Sequence, residues 1–158
     1  SFMTFRNGEP KEFFLRPIAL ALSLGMLPLI HGDLVLDEKL GFGVVSADRI
    51  ASLLGEELNV SKVLFGCDVD GVFPSDLKQS KGSTVIREVT EANHASVLKA
   101  LKISTDDATG GMRGKVNEAL RLAKFGVESH IFNLTKPENL GRLLRGDSAI
   151  GTRFVPWK

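Results

Sequence analysis

Short apolar runs ending in polar, glycine-bearing turns alternate along this chain with amphipathic segments of helical length. This alternation restricts the fold more than any other feature. Residues 27–31, 60–67, 129–133 and 150–155 predict buried strands, and 83–89 alternates as another. A hairpin is predicted where 34–36 and 43–45 flank the polar, glycine-containing stretch 37–41. Helices are predicted at 11–24, from a Ser46 cap to about 58, and from Thr90 or Asn93 to near 102. Two more are predicted, from Gly111 or Gly114 to 125 and at 137–144. Ile50, Leu53, Leu54 and Leu58 share one helical face, and Val116, Leu120 and Ala123 another. His130 and Phe132 are expected on opposite sides of their strand, and no clear first element is expected around Met3. Strands alternating with helices imply an α/β architecture with a largely parallel sheet.

The 158 residues fit one domain, 1–158. Twenty basic residues face nineteen acidic ones, for a net charge of +1. That balance gives no sign of a nucleic-acid or membrane-surface partner, so any bound anion must be held by a local site. The longest apolar stretch, 18–30, is interrupted by Ser23, Gly25 and Pro28. A span of the bilayer needs about 20 apolar residues, so no membrane segment is expected. A lone cysteine, Cys67, excludes an internal disulfide and reads as a buried thiol, with the cytoplasm as the natural compartment.

In open α/β sheets ligands gather beyond the C-terminal ends of strands. Three polar turns fall at such ends: His31-Gly32-Asp33, Asp68-Val69-Asp70-Gly71, and the segment 107–115. The last reads Asp107-Ala108-Thr109-Gly110-Gly111-Met112-Arg113-Gly114-Lys115. Consecutive glycines let backbone N–H groups turn toward an oxyanion, and the helix start adds free donors. Lys115 in or near the first turn opposes the helix dipole unless an anion sits there. A loop followed by an ordinary exposed lysine explains the same residues equally well. The spacing is not that of a Walker A loop. The Asp68 and Asp70 pair is either a plain turn or a contact to a ribose hydroxyl or hydrated magnesium. Ser46-Ala47-Asp48 is first a helix cap, with Asp48 favouring the dipole. Gly32 lets a ligand approach backbone closely. His94 and His130 have no partner pattern and read as structural.

Taken in order over 28–152, these motifs resemble the amino acid kinase superfamily, and the closing Gly151-Thr152 also resembles its C-terminus. Within it, H-G-D combined with D-x-T-G-G-M-x-x-K looks most similar to the isopentenyl phosphate kinases. The resemblance implies a three-layer α/β/α sandwich of the carbamate kinase type. It implies transfer of the ATP γ-phosphoryl group to a small phosphorylated acceptor, isopentenyl phosphate, with Mg2+ bridging phosphate oxygens. By resemblance Thr109, Gly110, Gly111 and Lys115 hold the β/γ-phosphates. Asp68, Asp70 and Gly71 contact the nucleotide, His31, Gly32 and Asp33 border the acceptor, and Asp48 orients the catalytic lysines. A homodimer is also implied.

Ala47 stands where the family usually has glycine, and Ala108 where it has valine. The family's N-terminal half carries a lysine beside a Gly-Gly-Ser turn, a second glycine-rich turn and a histidine against the acceptor phosphate. No segment of the 158 residues matches it. The N-terminal half is therefore expected to be missing. If these residues are the whole polypeptide, weak ATP binding without turnover is expected, with the pocket for an isoprenoid tail largely absent. Glutamate 5-kinase, acetylglutamate kinase, uridylate kinase and a non-catalytic nucleotide-binding module are the alternatives.

Overall fold

The computed structural model describes residues 3–74, 84–101 and 111–157. The chain divides into two compact units, Ser1–Ala51 and Ser52–Lys158.

The first unit opens with strands β1 (Met3–Arg6) and β2 (Glu9–Phe13), so the expectation of no element near Met3 is corrected. The turn between them is Asn7-Gly8, with φ of 56° and 81°. Two consecutive positive φ values match the right-handed strand twist, which is why Asn-Gly closes tight hairpins. Helix α1 (Arg16–Ser23) follows. It starts later than expected because residues 11–13 belong to β2 and Pro17 occupies the first helical turn. The predicted strand at 27–31 does not form. Leu27 and Leu29 are 92% and 98% exposed, so apolar character there does not mark burial.

Strands β3 (Asp33–Asp37) and β4 (Gly41–Val45) form the expected hairpin. The sheet order is β2-β1-β3-β4. Val35, Asp37 and Val45 are buried, while the cross-strand pairs Leu34–Val44 and Leu36–Phe42 face outward. Asp37 ties the turns of this sheet together. Its carboxylate accepts N–H bonds from Asn7 and Gly8 at 2.9 and 2.7 Å, and from Lys39 and Leu40 at 2.8 and 2.9 Å. Burial raises its pKa, but the four backbone donors outweigh that and hold it well below the usual carboxylate value. Helix α2 (Ala47–Glu57) is capped as expected, with Arg49 N donating to Ser46 Oγ at 3.1 Å.

The second unit contains β5 (Lys62–Cys67), β6 (Glu88–Val89), α3 (His94–Ala100) and α4 (Gly111–Phe125). It ends with β7 (Glu128–Asn133), α5 (Pro137–Leu144) and β8 (Thr152–Phe154). Its strand order is β5-β7-β8-β6. β5 pairs with β7 in parallel, β7 with β8 antiparallel, and β8 with β6 in parallel. The first sheet likewise mixes directions. The α/β class holds, but among the described residues the sheets are mixed and not mainly parallel.

Val116, Ala119, Leu120, Leu122 and Ala123 of α4 are buried. Each such Leu or Val contributes about 1.5–3 kcal/mol by leaving water. Phe132 packs with Leu143, Ile150 and Leu64. His130 and Phe132 lie two residues apart in an extended strand, so they project to the same face, not to opposite ones. Both are buried. The Cys67 thiol is only half-buried and lies 3.2 Å from Val69 O.

Glu128 is the charged anchor of this unit. It meets Lys62 at 3.0 Å, Arg153 Nη2 at 2.6 Å and Nε at 2.8 Å, and His130 Nε2 at 3.2 Å. Burial raises its pKa, yet Lys62, Arg153 and His130 together push it down to about 2. Burial holds the His130 pKa below its ordinary value.

Both carboxylates have lowered folded pKa values, so their stabilisation is full at neutral pH and fades as pH falls. For Glu128 the window runs from its usual 4.5 down to about 2. Asp37→Asn and Glu128→Gln are each expected to lower the melting temperature at pH 7, and the deficit should shrink below about pH 4. Thermal melts from pH 7 to pH 2.5 check this. A deficit independent of pH contradicts it.

Candidate functional site

The first unit brings two of the sequence motifs together. Gly32 packs against the end of β4 and the start of α2. A Cβ at Gly32 would stand 2.9 Å from Val45 O and 3.3 Å from Ala47 N. His31-Gly32-Asp33 and Ser46-Ala47-Asp48 therefore meet backbone to backbone, with no room for a side chain. His31 is exposed and its Nδ1 lies 2.6 Å from Gly32 O. Asp33 accepts from Leu34 N at 2.8 Å. Asp48 sits in the first turn of α2 and is half-buried.

His31 and Asp33 border a cleft of about 370 Å³. Its remaining lining is apolar, including Phe14, Ile18, Leu29, Ile30 and Ile50. An apolar pocket was not expected here, since only the polar H-G-D turn carried a signal. The run 27–31, misread as a strand, supplies part of its wall.

In the second unit the Asp68–Gly71 turn leaves the C-terminal end of β5. Asp68 is exposed. Asp70 bonds side chains, which is neither the plain turn, in which aspartates bond nearby backbone, nor a carboxylate left open to a nucleotide. Its Oδ1 lies 2.6 Å from Lys136 Nζ and accepts from Asn133 Nδ2 at 2.9 Å. The lysine first, then the Asn133 hydrogen bond, lower its pKa. Gly71 has a φ of 145° and sits where a Cβ would meet Val85 Cγ1 at 2.7 Å and Thr152 Oγ1 at 2.8 Å. Thr152 Oγ1 in turn accepts from Val72 N at 2.8 Å, and both residues are buried. The Asp-Val-Asp-Gly and Gly-Thr motifs, 80 residues apart, thus form one structure.

Thr109 and Gly110 lie outside the described residues. Gly111 begins α4 with a φ of 49°, and Lys115 is in its first turns and half-buried. Arg113 Nη1 donates to Leu101 O at 3.1 Å, fixing the start of α4 to the end of α3. Asn133, Lys136 and Arg113 were not singled out from sequence, because each acts through partners distant along the chain. His94 lies tilted against Trp157 with ring centroids 4.8 Å apart, and His130 is wholly buried.

Among the described residues no group of three His, Cys, Asp or Glu side chains could hold a metal ion. Magnesium typically needs only one or two carboxylates besides waters and substrate phosphates. An ion carried on phosphate oxygens does not require such a group. No helix among the described residues is long and apolar enough to cross a membrane.

Residues 2–133 match the amino acid kinase family. The isopentenyl phosphate kinase of Methanothermobacter thermautotrophicus is 37% identical over 157 residues, which make up 98% of this chain and 58% of that protein. The glutamate 5-kinase of Citrifermentans bemidjiense is 29% identical over 136 residues, 85% of this chain and 36% of that protein. A crystal structure of isopentenyl phosphate kinase, 31% identical, superposes with a TM-score of 0.77 over 98% of this chain and 56% of its own. The chain spans about half the length of the curated relatives it matches.

Thr152→Val keeps shape but leaves the buried Val72 N–H without its acceptor. It is expected to cost about 1–3 kcal/mol, read by denaturant unfolding. A loss under about 0.5 kcal/mol would show that the hydroxyl does not hold the turn.

Proposed function

This chain belongs to the amino acid kinase family, and from that premise we propose that it serves an ATP-dependent kinase whose acceptor is isopentenyl phosphate. The observation that carries the acceptor assignment is the apolar cleft bordered by His31 and Asp33. A short branched hydrocarbon buries well against Phe14, Ile18 and Ile30, while its phosphate requires polar groups only at one end. A glutamate acceptor would bring an ammonium and a carboxylate onto that lining, each needing a charged or hydrogen-bonding partner. The 37% identity to an isopentenyl phosphate kinase supports the same reading.

In this reading an oxygen of the acceptor phosphate attacks the γ-phosphorus of ATP. The bond to the β-bridging oxygen breaks, and ADP and isopentenyl diphosphate result. Catalysis is positioning plus charge stabilisation, with no covalent protein intermediate. His31 and the Gly32 backbone receive the acceptor phosphate. Lys115 and the amides at 109–111 hold the β- and γ-phosphates, and Asp68 takes the nucleoside. Asp48 orients the lysines. Magnesium bound on the nucleotide neutralises charge on its phosphate oxygens. A cytoplasmic location and a homodimer complete the proposal.

The test compares phosphorylation of isopentenyl phosphate, glutamate and UMP by the full-length protein under identical ATP and magnesium. Isopentenyl phosphate is expected to give the highest kcat/KM, and a preference for glutamate refutes the acceptor assignment. Lys115→Ala is expected to weaken ATP binding by about 10- to 100-fold, the loss of a charge-assisted contact of about 1.5–3 kcal/mol. Unchanged ATP affinity in calorimetry would favour a non-catalytic module.

A further inference from the structure

Asn133 is the last residue of β7 and is 7% exposed. Every hydrogen-bonding valence of its side chain is occupied. Nδ2 donates to the main-chain carbonyl of Asp68 at 3.3 Å and to Asp70 Oδ1 at 2.9 Å. Oδ1 accepts from Thr135 N at 3.0 Å and from Thr135 Oγ1 at 2.6 Å. A carboxamide has two donors and two lone pairs, so nothing is left over. The main-chain carbonyl of Asn133 accepts from Asn139 Nδ2 at 2.9 Å, which secures the strand end to α5. Lys136 then closes on Asp70 from the solvent side at 2.6 Å.

We propose that Asn133 is a positioning residue for nucleotide binding. It fixes the backbone of the Asp68–Gly71 turn so that the exposed Asp68 carboxylate is presented in one orientation. Asp70 then does not touch the nucleotide. Its carboxylate is the second attachment point of the Asn133 amide, and Lys136 neutralises it. The inference rests on the reading of the Asp68 turn as a nucleotide contact. The physical reason is preorganisation. A turn held at both a carbonyl and a carboxylate is ordered before the ligand arrives. A released turn must be ordered at the moment of binding, and affinity falls by that cost.

Asn133→Asp tests this, because it keeps the shape and replaces the donor by an acceptor facing Asp70 and the Asp68 carbonyl. The ATP dissociation constant from calorimetry on the full-length protein is expected to rise about tenfold or more, with a cooperative melt retained. Adding Asp70→Asn returns a donor to the pair and is expected to restore most of the affinity. Asn139→Ala removes a contact of the same strand end that does not reach the turn. It should lower the melting temperature while leaving ATP affinity unchanged. If Asn133→Asp does not fold, Thr135→Val, which removes the hydroxyl bond to the amide oxygen and leaves that from Thr135 N, should show the same loss at smaller size.

Wild-type ATP affinity in Asn133→Asp (or in Thr135→Val where it stands in), or no recovery on adding Asp70→Asn, overturns the positioning role while the kinase reading stands. A wild-type full-length protein that does not bind ATP removes both.

Discussion

The parallel pairing of β5 with β7 runs in register from Lys62 beside Glu128 to Cys67 beside Asn133. Both ends of the second unit follow from it. At the start of the strands the register sets Lys62 against Glu128, and the antiparallel entry of β8 brings Arg153 opposite His130 and onto the same carboxylate. At the finish it sets Asn133 against the chain leaving β5, where Asp68 and Asp70 turn. A slip of one residue would reverse the faces of the whole strand. Phe132 would leave Leu143 and Ile150, and the Asn133 amide would point away from the turn. The hydrophobic and polar requirements of β7 thus select the same register, so the core and the candidate nucleotide turn are not independent features.

Much of this fold was legible because it is local. Ser46 caps α2 as a serine before an apolar helical period should, and α5 spans its predicted residues. The β3–β4 hairpin follows from two short apolar runs flanking a polar, glycine-containing turn. The errors are informative. Asn7-Gly8 is a strong hairpin signal and Met3-Thr4-Phe5-Arg6 before it alternates, but Glu9, Lys11 and Glu12 after it carry too little apolar character to announce the partner strand. At 27–31 the opposite holds, with apolar residues that line a cleft and form no ladder. Hydrophobicity alone does not distinguish a core from a pocket wall. Strand direction was not legible either. β7 and β8 are joined through a helix, as parallel neighbours would be, yet run antiparallel.

For the candidate site, sequence indicated where polar turns cluster but not which atoms are already engaged. Asp68 and Asp70 look equivalent two residues apart. The structure separates them through Asn133 and Lys136, more than 60 residues downstream. Likewise Gly32 read as an approach point for a ligand, and its immediate neighbour is the backbone of Val45 and Ala47. That contact explains a glycine without any ligand, while placing the H-G-D and S-A-D segments in one structure. Of the phosphate loop, Gly111 and Lys115 are described and Thr109 and Gly110 are not, so its cradle remains part of the proposal.

Asp37 and Asn133 solve one problem in two chemistries. Each ends a strand, is buried, and uses a short side chain to hold two turns. Asp37 meets four N–H groups and no acceptor, so a carboxylate with four lone-pair sites suits it. An amide there would turn its NH2 group toward at least one of those donors whichever way it was placed, the Gly8 N–H alone at best. Asn133 meets two acceptors and two donors, which a carboxamide matches atom for atom. A carboxylate there would face the charge of Asp70. The identity of each residue is therefore set by the polarity of the groups around it, not by its turn propensity. Aspartate and asparagine are near-equivalent as turn formers, and only the count of donors and acceptors, fixed by the fold, tells them apart.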